Sequence, residues 1–327
     1  MARGRRAVLG AMMGAPLAAR ASDITAIPLA ITMGTGQPGG GFSVYGQAWG
    51  QAAQKSARMS LSYRASGGSA ANVLLVEQNA AQLGLVVLAV ANQAWAGRGT
   101  WTSGVKLQGF RALFPICGAS LQIFAPARSR IRRLRDLAGK VIGVGPAGGA
   151  GAVLALPALA AAGIRPRLAI EGLYGEQIDL LHRGRLDACA FFGITPLPAV
   201  REAAARGGFN LIGFAHDEIT AAAKALPGIG AAVIGRHTLP HLSAPVATIG
   251  SEAIAIGAVS LPGSIAGAVT TTAMLHRTEL LRGLPGSGPA RLGPDWIDRS
   301  SPVPFHPGAA AALRKVGLGV PDALIRG

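Results

Sequence analysis

Three apolar, strand-like runs in this chain each break into a glycine-rich turn that leads into a helix-like stretch. The turns are residues 34–41, 66–69 and 145–151. The first turn of a helix carries backbone N–H groups without partners inside the helix, and glycine lets a ligand approach that backbone closely. Several such turns facing one cleft can hold a small carboxylate without a basic side chain. The pattern therefore predicts a fold in which strand ends bind an anion.

The same alternation continues along the chain and predicts an α/β fold. Strands are expected at 26–33, 59–64, 81–87, 110–117, 121–125, 141–144, 167–170 and 188–192, and helices at 42–57, 70–78, 152–162 and 176–183. Such alternation is typical of parallel-rich sheets that bind ligands beyond the carboxyl ends of their strands. A chain of 327 residues exceeds the usual size of one hydrophobic core, so two lobes are expected.

The first residues have the pattern of a secretory signal peptide. Residues 1–6 are basic, 7–19 are apolar, and 19–21 match an A-x-A cleavage site. Arg5 and Arg6 hint at twin-arginine export, but the general route stays open. We therefore expect a periplasmic protein from which 1–21 are cleaved. The uncharged stretch 253–275 contains Gly257 and Pro262 and is expected to form strand, turn and helix.

The chain is basic, with a formal net charge of +16. A nucleic-acid partner is not expected, because the basic residues do not lie among aromatic ones. The densest basic cluster falls within 128–140 and includes Arg130, Arg132 and Arg133. It is interpreted as a solvated loop or helix face, or as a docking patch for an acidic membrane partner or anionic lipid.

Cysteine and histidine usage argues against a disulfide framework and a metal site. Cys117 and Cys189 lie in strand-like runs and are expected to be buried thiols. His237 and His241 have helical spacing, but Pro240 lies between them and argues against a helix there. No metal and no other cofactor is expected.

A dinucleotide site is the rival interpretation of the glycine turns. Gly34, Gly36 and Gly39 fit GxGxxG, and so do the glycines at 143, 145 and 148, with Glu171 at a suitable distance. Export from the cytoplasm and the lack of a recognisable set of residues for hydride chemistry argue against it. Glycines that only tighten strand-to-helix turns remain a further alternative.

Seven segments, taken in order, resemble the TAXI group of TRAP transporter solute receptors. The resemblance covers essentially all of the chain after the signal peptide. Its segments are ITMGTG at 31–36, SGGSAAN at 66–72, QLGLV at 82–86, LRDLAGK at 134–140, VGP at 144–146, GRLDA at 184–188 and PFHPG at 304–308.

The resemblance implies a type II periplasmic binding protein fold, an α/β fold of two lobes with parallel-rich sheets and a hinge of two crossover strands. Residues 22–120 and 250–327 would form one lobe and 121–249 the other. Such a protein is not an enzyme. It closes on a small acid such as glutamate or 2-oxoglutarate and delivers it to TRAP membrane permease subunits.

The resemblance also implies a set of ligand contacts. Ser69 has an alternative role as a helix N-cap, and Asn72 as a turn-packing residue. The expected contacts are Gly40, Gly41, Phe42, Gly67, Gly68, Ser69, Asn72, Leu88, Gly148, Gly149, Ala150, Gly151, Phe192 and Gly193.

The chain departs from the family pattern at two places. Members commonly carry Gln, Ser and Asp where this chain has Val87, Leu88 and Ala89, and Ser and Thr where it has Gly149 and Gly151. A more apolar solute, water in place of the side chains, or decayed binding would each account for the loss. An accessory or sensory protein that feeds a signalling partner, or an exported enzyme, remains an alternative function.

Overall fold

The computed structural model describes residues 29–57, 59–288, 290, 292 and 301–325. The predicted signal peptide lies outside these residues. Within them, strands and helices alternate largely as expected. The strands are β1 Leu29–Gly34, β2 Met59–Arg64, β3 Leu83–Val87, β4 Phe110–Pro126, β5 Val141–Gly143, β6 Leu168–Ile170, β7 Ala188–Ile194, β8 Phe209–Ile212, β9 Gly230–Ile234 and β10 Val246–Ala258. The helices are α1 Gly41–Ser56, α2 Ser69–Glu77, α3 Leu88–Ala96, α4 Ala150–Ala161, α5 Tyr174–His182, α6 Pro198–Ala205, α7 His216–Ala225, α8 Gly263–Leu275, α9 Arg277–Leu280 and α10 Pro307–Lys315.

The ten strands join in one sheet with the order β2-β1-β3-β10-β4-β7-β5-β6, to which β8 adds through β4 and β9 through β10. The outer pairs are parallel: β1 with β2 and β3, and β5 with β6 and β7. All pairs that involve β4 or β10 are antiparallel. We call the half around β1 to β3 the first lobe and the half around β5 to β7 the second lobe. The strands β4 and β10 belong to both.

The expectation of two separate strands at 110–117 and 121–125 is wrong, because β4 runs without a break from Phe110 to Pro126. Gly118 and Ser120 have the composition of a turn, but pairing on both sides keeps them extended. Gly118 pairs with Glu252 of β10, and Ser120 pairs with Gly193 of β7. The proposed lobe boundaries, 120/121 and 249/250, fall inside β4 and β10 and stay a prediction.

Helix α1 shows how the sequence pattern builds the core of the first lobe. Phe42, Tyr45, Trp49 and Ala53 recur at helical spacing and are all buried. The Trp49 ring packs edge-on against Phe114 of β4 with centroids 5.0 Å apart. Its indole N–H donates to a backbone carbonyl of α8 at 3.1 Å. These contacts anchor the helix whose N-terminus faces the second lobe.

The two cysteine side chains are free and buried, as predicted. Burial raises the pKa of both thiols, so Cys117 and Cys189 stay protonated. The stretch 253–275 divides between β10 and α8, also as predicted. In the part of the chain that the structure describes, no helix is long and apolar enough to cross a bilayer.

Candidate functional site

The three glycine turns predicted from the sequence meet at one place between the lobes. They lead into α1 and α2 of the first lobe and α4 of the second lobe. They enclose a small space that we call the interlobe cavity. It is lined by Gly36, Gln37, Gly40, Gly41, Phe42, Gly67, Gly68, Ser69, Ala150, Tyr174, Phe192, Gly193, Ile194 and Leu197.

The interlobe cavity is small because the lobes touch around it. The volume open to the centre of a water molecule is about 20 Å³. About 10–15 Å³ by this measure is enough for one water molecule. A solute of the size of an amino acid therefore enters only when the lobes part.

The N-terminus of α2 makes the central contact between the lobes. The backbone N–H groups of Ala70 and Ala71 both donate to the carbonyl of Gly148, at 2.9 and 3.1 Å. First-turn N–H groups have no partner inside their own helix. A carbonyl of the second lobe thus satisfies donors of a first-lobe helix, at the point where the sequence predicts anion binding.

Glycine is required where the two turns cross. A Cβ built on Gly67 would lie 1.6 Å from the carbonyl oxygen of Ala147, across the gap between the lobes. A Cβ on Gly41 would lie 2.7 Å from the Cβ of Ile194. Any side chain at Gly67 or Gly41 would hold the lobes apart, so these glycines permit closure in addition to shaping turns.

Asn72 and Ser69 hold α2 in the first lobe. The Asn72 side-chain amide donates to the carbonyls of Thr35 and Leu85, both at 2.7 Å, and its oxygen accepts from the Ser66 hydroxyl at 2.6 Å. The Ser69 hydroxyl accepts from the backbone N–H of Val87 at 3.0 Å. Asn72 is fully buried and does not line the cavity, whereas Ser69 does. These bonds favour the packing role for Asn72.

The cavity is also lined by two polar side chains that were not predicted as site residues. Neither the Tyr174 hydroxyl nor the Gln37 side-chain amide has a hydrogen-bond partner among the described residues. Burial raises the pKa of Tyr174, so its hydroxyl is a neutral donor. Tyr174 begins α5 and packs on Phe191 with ring centroids 4.9 Å apart, which fixes its direction. Gln37 lies within the first glycine turn, and this position could have identified it as a candidate site residue from the sequence.

Gln177 holds the second-lobe turn in place. Its side-chain oxygen accepts from the Gly145 N–H at 2.9 Å, and its nitrogen donates to the Ile170 carbonyl at 2.8 Å. A Cβ on Gly143 would lie 2.4 Å from that same oxygen. The glycines of the second GxGxxG motif therefore pack against α5, and Gly148 presents its carbonyl to α2.

The expected ligand contacts divide into two groups. Nine line the interlobe cavity: Gly40, Gly41, Phe42, Gly67, Gly68, Ser69, Ala150, Phe192 and Gly193. Five lie outside its lining: Asn72, Leu88, Gly148, Gly149 and Gly151. Of these five, Gly148 and Gly149 belong to the turn that touches α2 and Gly67.

Leu88 faces a different space beside the two long strands. This hinge cavity measures about 440 Å³ and is also lined by Ser120, Thr195, Ser251 and Glu252. Burial raises the pKa of Glu252, which forms no ion pair within the described residues. This carboxyl group was not predicted as a site residue, because nothing in the sequence around Glu252 distinguishes it.

The fold is that of periplasmic binding proteins, which confirms the predicted fold class. Three solved structures share it. Periplasmic binding protein BugD has a TM-score of 0.56 at 11% sequence identity, and the match covers 89% of this chain and 98% of that one. A structure described as "a periplasmic transporter" has a TM-score of 0.53 at 12% identity, covering 80% of this chain and 88% of that one. The alkanesulfonate-binding protein SsuA from Xanthomonas axonopodis pv. citri bound to MOPS has a TM-score of 0.52 at 14% identity, covering 92% of this chain and 99% of that one.

The chain belongs to the NMT1-like family, which matches residues 33–317. The match spans both lobes and all three glycine turns. A comparison with curated protein sequences finds no match.

Proposed function

We propose that the protein is a periplasmic solute receptor that captures a small carboxylate-bearing solute between its lobes. One observation carries this proposal: the N-termini of α1, α2 and α4 converge on one cavity between two lobes. Backbone N–H groups at helix N-termini are suited to anions. Among the described residues no lysine or arginine lines the cavity, so recognition of a carboxylate would rest on backbone and neutral side chains.

Parting of the lobes would free the two N–H groups of α2. In the closed contact Ala70 and Ala71 donate to Gly148. A solute carboxylate bound in the open cleft replaces that carbonyl with a charged acceptor, and hydrogen bonds to charged groups are stronger than neutral ones. The hydroxyls of Tyr174 and Ser69 and the amide of Gln37 are side-chain donors in the cavity lining. The lobes then close around the bound solute and not onto each other, and the preference of the solute for that closed form shifts the equilibrium toward it.

The apolar side chains of Val87 and Ala89 are buried, and Leu88 turns to the hinge cavity. Polar contacts typical of TAXI receptors are therefore replaced by packing at this strand end. Among the described residues, the interlobe cavity itself is lined by only three polar side chains, Gln37, Ser69 and Tyr174, so we infer a solute with few polar groups beyond its carboxylate. Each missing neutral hydrogen bond is worth about 1 kcal/mol net.

Delivery of the solute to a TRAP-type permease is the finer part of the proposal. It rests on the seven segments that resemble TAXI receptors. Membership of the NMT1-like family and the periplasmic binding protein fold are compatible with it. The proposal places the protein in the periplasm.

Titration calorimetry with a panel of amino acids, organic acids and alkanesulfonates tests the proposal. We expect at least one carboxylate to bind and its neutral amide analogue to bind far more weakly. Gly67→Asp, which adds both bulk and negative charge at the crossing, should abolish binding. Binding of neutral compounds only would overturn the carboxylate part, and binding unaffected by Gly67→Asp would overturn the site.

A further inference from the structure

The far end of the second lobe carries a concentration of basic side chains. In β5, β6 and β7 the carboxyl ends point toward the interlobe cavity, so the residues before these strands lie at the opposite edge. Backbone hydrogen bonds from Arg167 to Lys140 and from Gly139 to Arg165 join two of the segments there. We call this surface the basic end. It consists of Arg128, Arg130, Arg132, Arg133, Arg135, Lys140, Arg165, Arg167, Arg183 and Arg185.

The basic end is not neutralised by its own acids. Lys140 is half-buried and the other nine side chains are exposed. Within the described residues none of the ten forms an ion pair. Its two acids are engaged with backbone: Asp136 accepts from the N–H groups of Arg132 and Arg133, and Asp187 accepts from Val141. The bonds from Arg132 and Arg133 lower the pKa of Asp136.

The side-chain composition of this end favours a lipid surface over a protein partner. Neither the interlobe cavity nor the hinge cavity opens there. Among the described residues of these segments, Leu168 is the one large apolar residue that is exposed, with 52% of its surface accessible. A stable protein interface needs a buried apolar centre. Nine of the ten residues are arginine, whose planar guanidinium binds phosphate with two parallel hydrogen bonds. Phosphate groups of anionic lipids match both the charge and the hydrogen-bonding geometry of these side chains.

We propose that the basic end docks the protein on membranes that contain anionic phospholipid. Docking uses no residue of the cavity lining, so it is independent of solute binding. It is also weakened by salt, because exposed charges are screened.

Vesicle flotation with phosphatidylcholine, with and without phosphatidylglycerol, tests the proposal. We expect binding only with phosphatidylglycerol, and release at high salt. The test variant is Arg130→Glu, Arg133→Glu and Arg185→Glu. Arg132 is left in place because its guanidinium donates to the carbonyls of Ala127, Ser129 and Ile131.

The matched control is Lys55→Glu, Lys106→Glu and Lys224→Glu, which makes the same change in net charge at exposed sites elsewhere. A basic residue near an anionic surface contributes about fivefold to the partition coefficient, so the test variant should bind about a hundredfold more weakly. The control should change binding only a few-fold. Thermal melts establish that both variants are folded.

Equal losses of vesicle binding in the two variants would overturn the proposal, because binding would then depend on the net charge of the protein and not on the basic end. Retention on immobilised polyglutamate without binding to vesicles would overturn it in favour of an acidic protein surface. The assay contains no solute, so failure of the solute proposal leaves this result unaffected.

Discussion

Replacing Gly67 with alanine should hold the two lobes apart while leaving each lobe intact. The backbone of Gly67 is outside the left-handed region, so alanine is compatible with its conformation in the first lobe. The added Cβ would lie 1.6 Å from the Ala147 oxygen, about 1.8 Å short of the 3.4 Å at which ordinary contact begins. Backbone on both sides of the contact leaves no flexible side chain to move aside. The lobes themselves must separate.

The cost of that separation follows from the bonds that it breaks. The N–H groups of Ala70 and Ala71 lose the Gly148 carbonyl. At about 1 kcal/mol net for each bond, closure becomes less favourable by about 2 kcal/mol, or about thirtyfold in the ratio of closed to open forms. The loss acts on closure and not on folding, so the melting temperature should change little.

Amide hydrogen exchange measures the effect where it arises. We expect Ala70 and Ala71 to exchange about thirtyfold faster in Gly67→Ala than in the wild type. Gly175→Ala is the matched control. It lies in the first turn of α5, its Cβ would meet no atom within 4 Å, and alanine favours the helix. The control should leave exchange at both amides unchanged.

Unchanged protection of Ala70 and Ala71 in Gly67→Ala would contradict this prediction. It would mean that the α2 contact with Gly148 is not what closes the lobes. Faster exchange across the whole first lobe would refute it in another way, because alanine would then disturb folding.

Three other substitutions test the roles of single side chains. Tyr174→Phe should weaken carboxylate binding about tenfold in calorimetry. The melting temperature should stay the same, because the hydroxyl has no partner among the described residues. Equal affinity of the two proteins would contradict the role of this hydroxyl as a donor to the solute. Asn72→Ala should lower the free energy of unfolding by about 2–4 kcal/mol in urea, since it removes three buried hydrogen bonds, to Thr35, Leu85 and Ser66. A loss below about 1 kcal/mol would contradict this. Burial raises the pKa of Glu252 above its usual 4.5. The folded protein therefore loses stability as the pH rises from about 4.5 through the folded-state pKa, because the buried carboxyl group must ionise. Glu252→Gln should therefore melt higher than the wild type at neutral pH and no higher well below pH 4.5, and a gain independent of pH would contradict this.

The sequence was most informative where structure is decided locally. Apolar periodicity located β2 at the observed bounds and α1 and α2 to within a residue at each end. It was less informative at Gly118 and Ser120, which have the composition of a turn and lie inside β4. Pairing with β7 and β10, both distant in the chain, keeps these two residues extended.

For the candidate site, the sequence identified the turns but not their partners. Gly40, Gly67 and Ala150 could be proposed as cavity residues, since glycine turns before helices have a local signature. Tyr174 could not, because a tyrosine at the start of a helix is ordinary until packing on Phe191 directs it toward the cavity. Leu88 could not be assigned to the hinge cavity for the same reason.

The alternation of strands and helices, the three glycine turns and the basic character of the chain could all be predicted from the amino-acid sequence. Each of these depends on residues close together along the backbone. Three features become visible only in the folded protein: Gly148 satisfies the N-terminus of α2, Gly67 permits the lobes to touch, and the arginines of three segments gather at one end. Those features depend on how distant segments pack, and the free energy of that packing is not written in any single stretch of the chain.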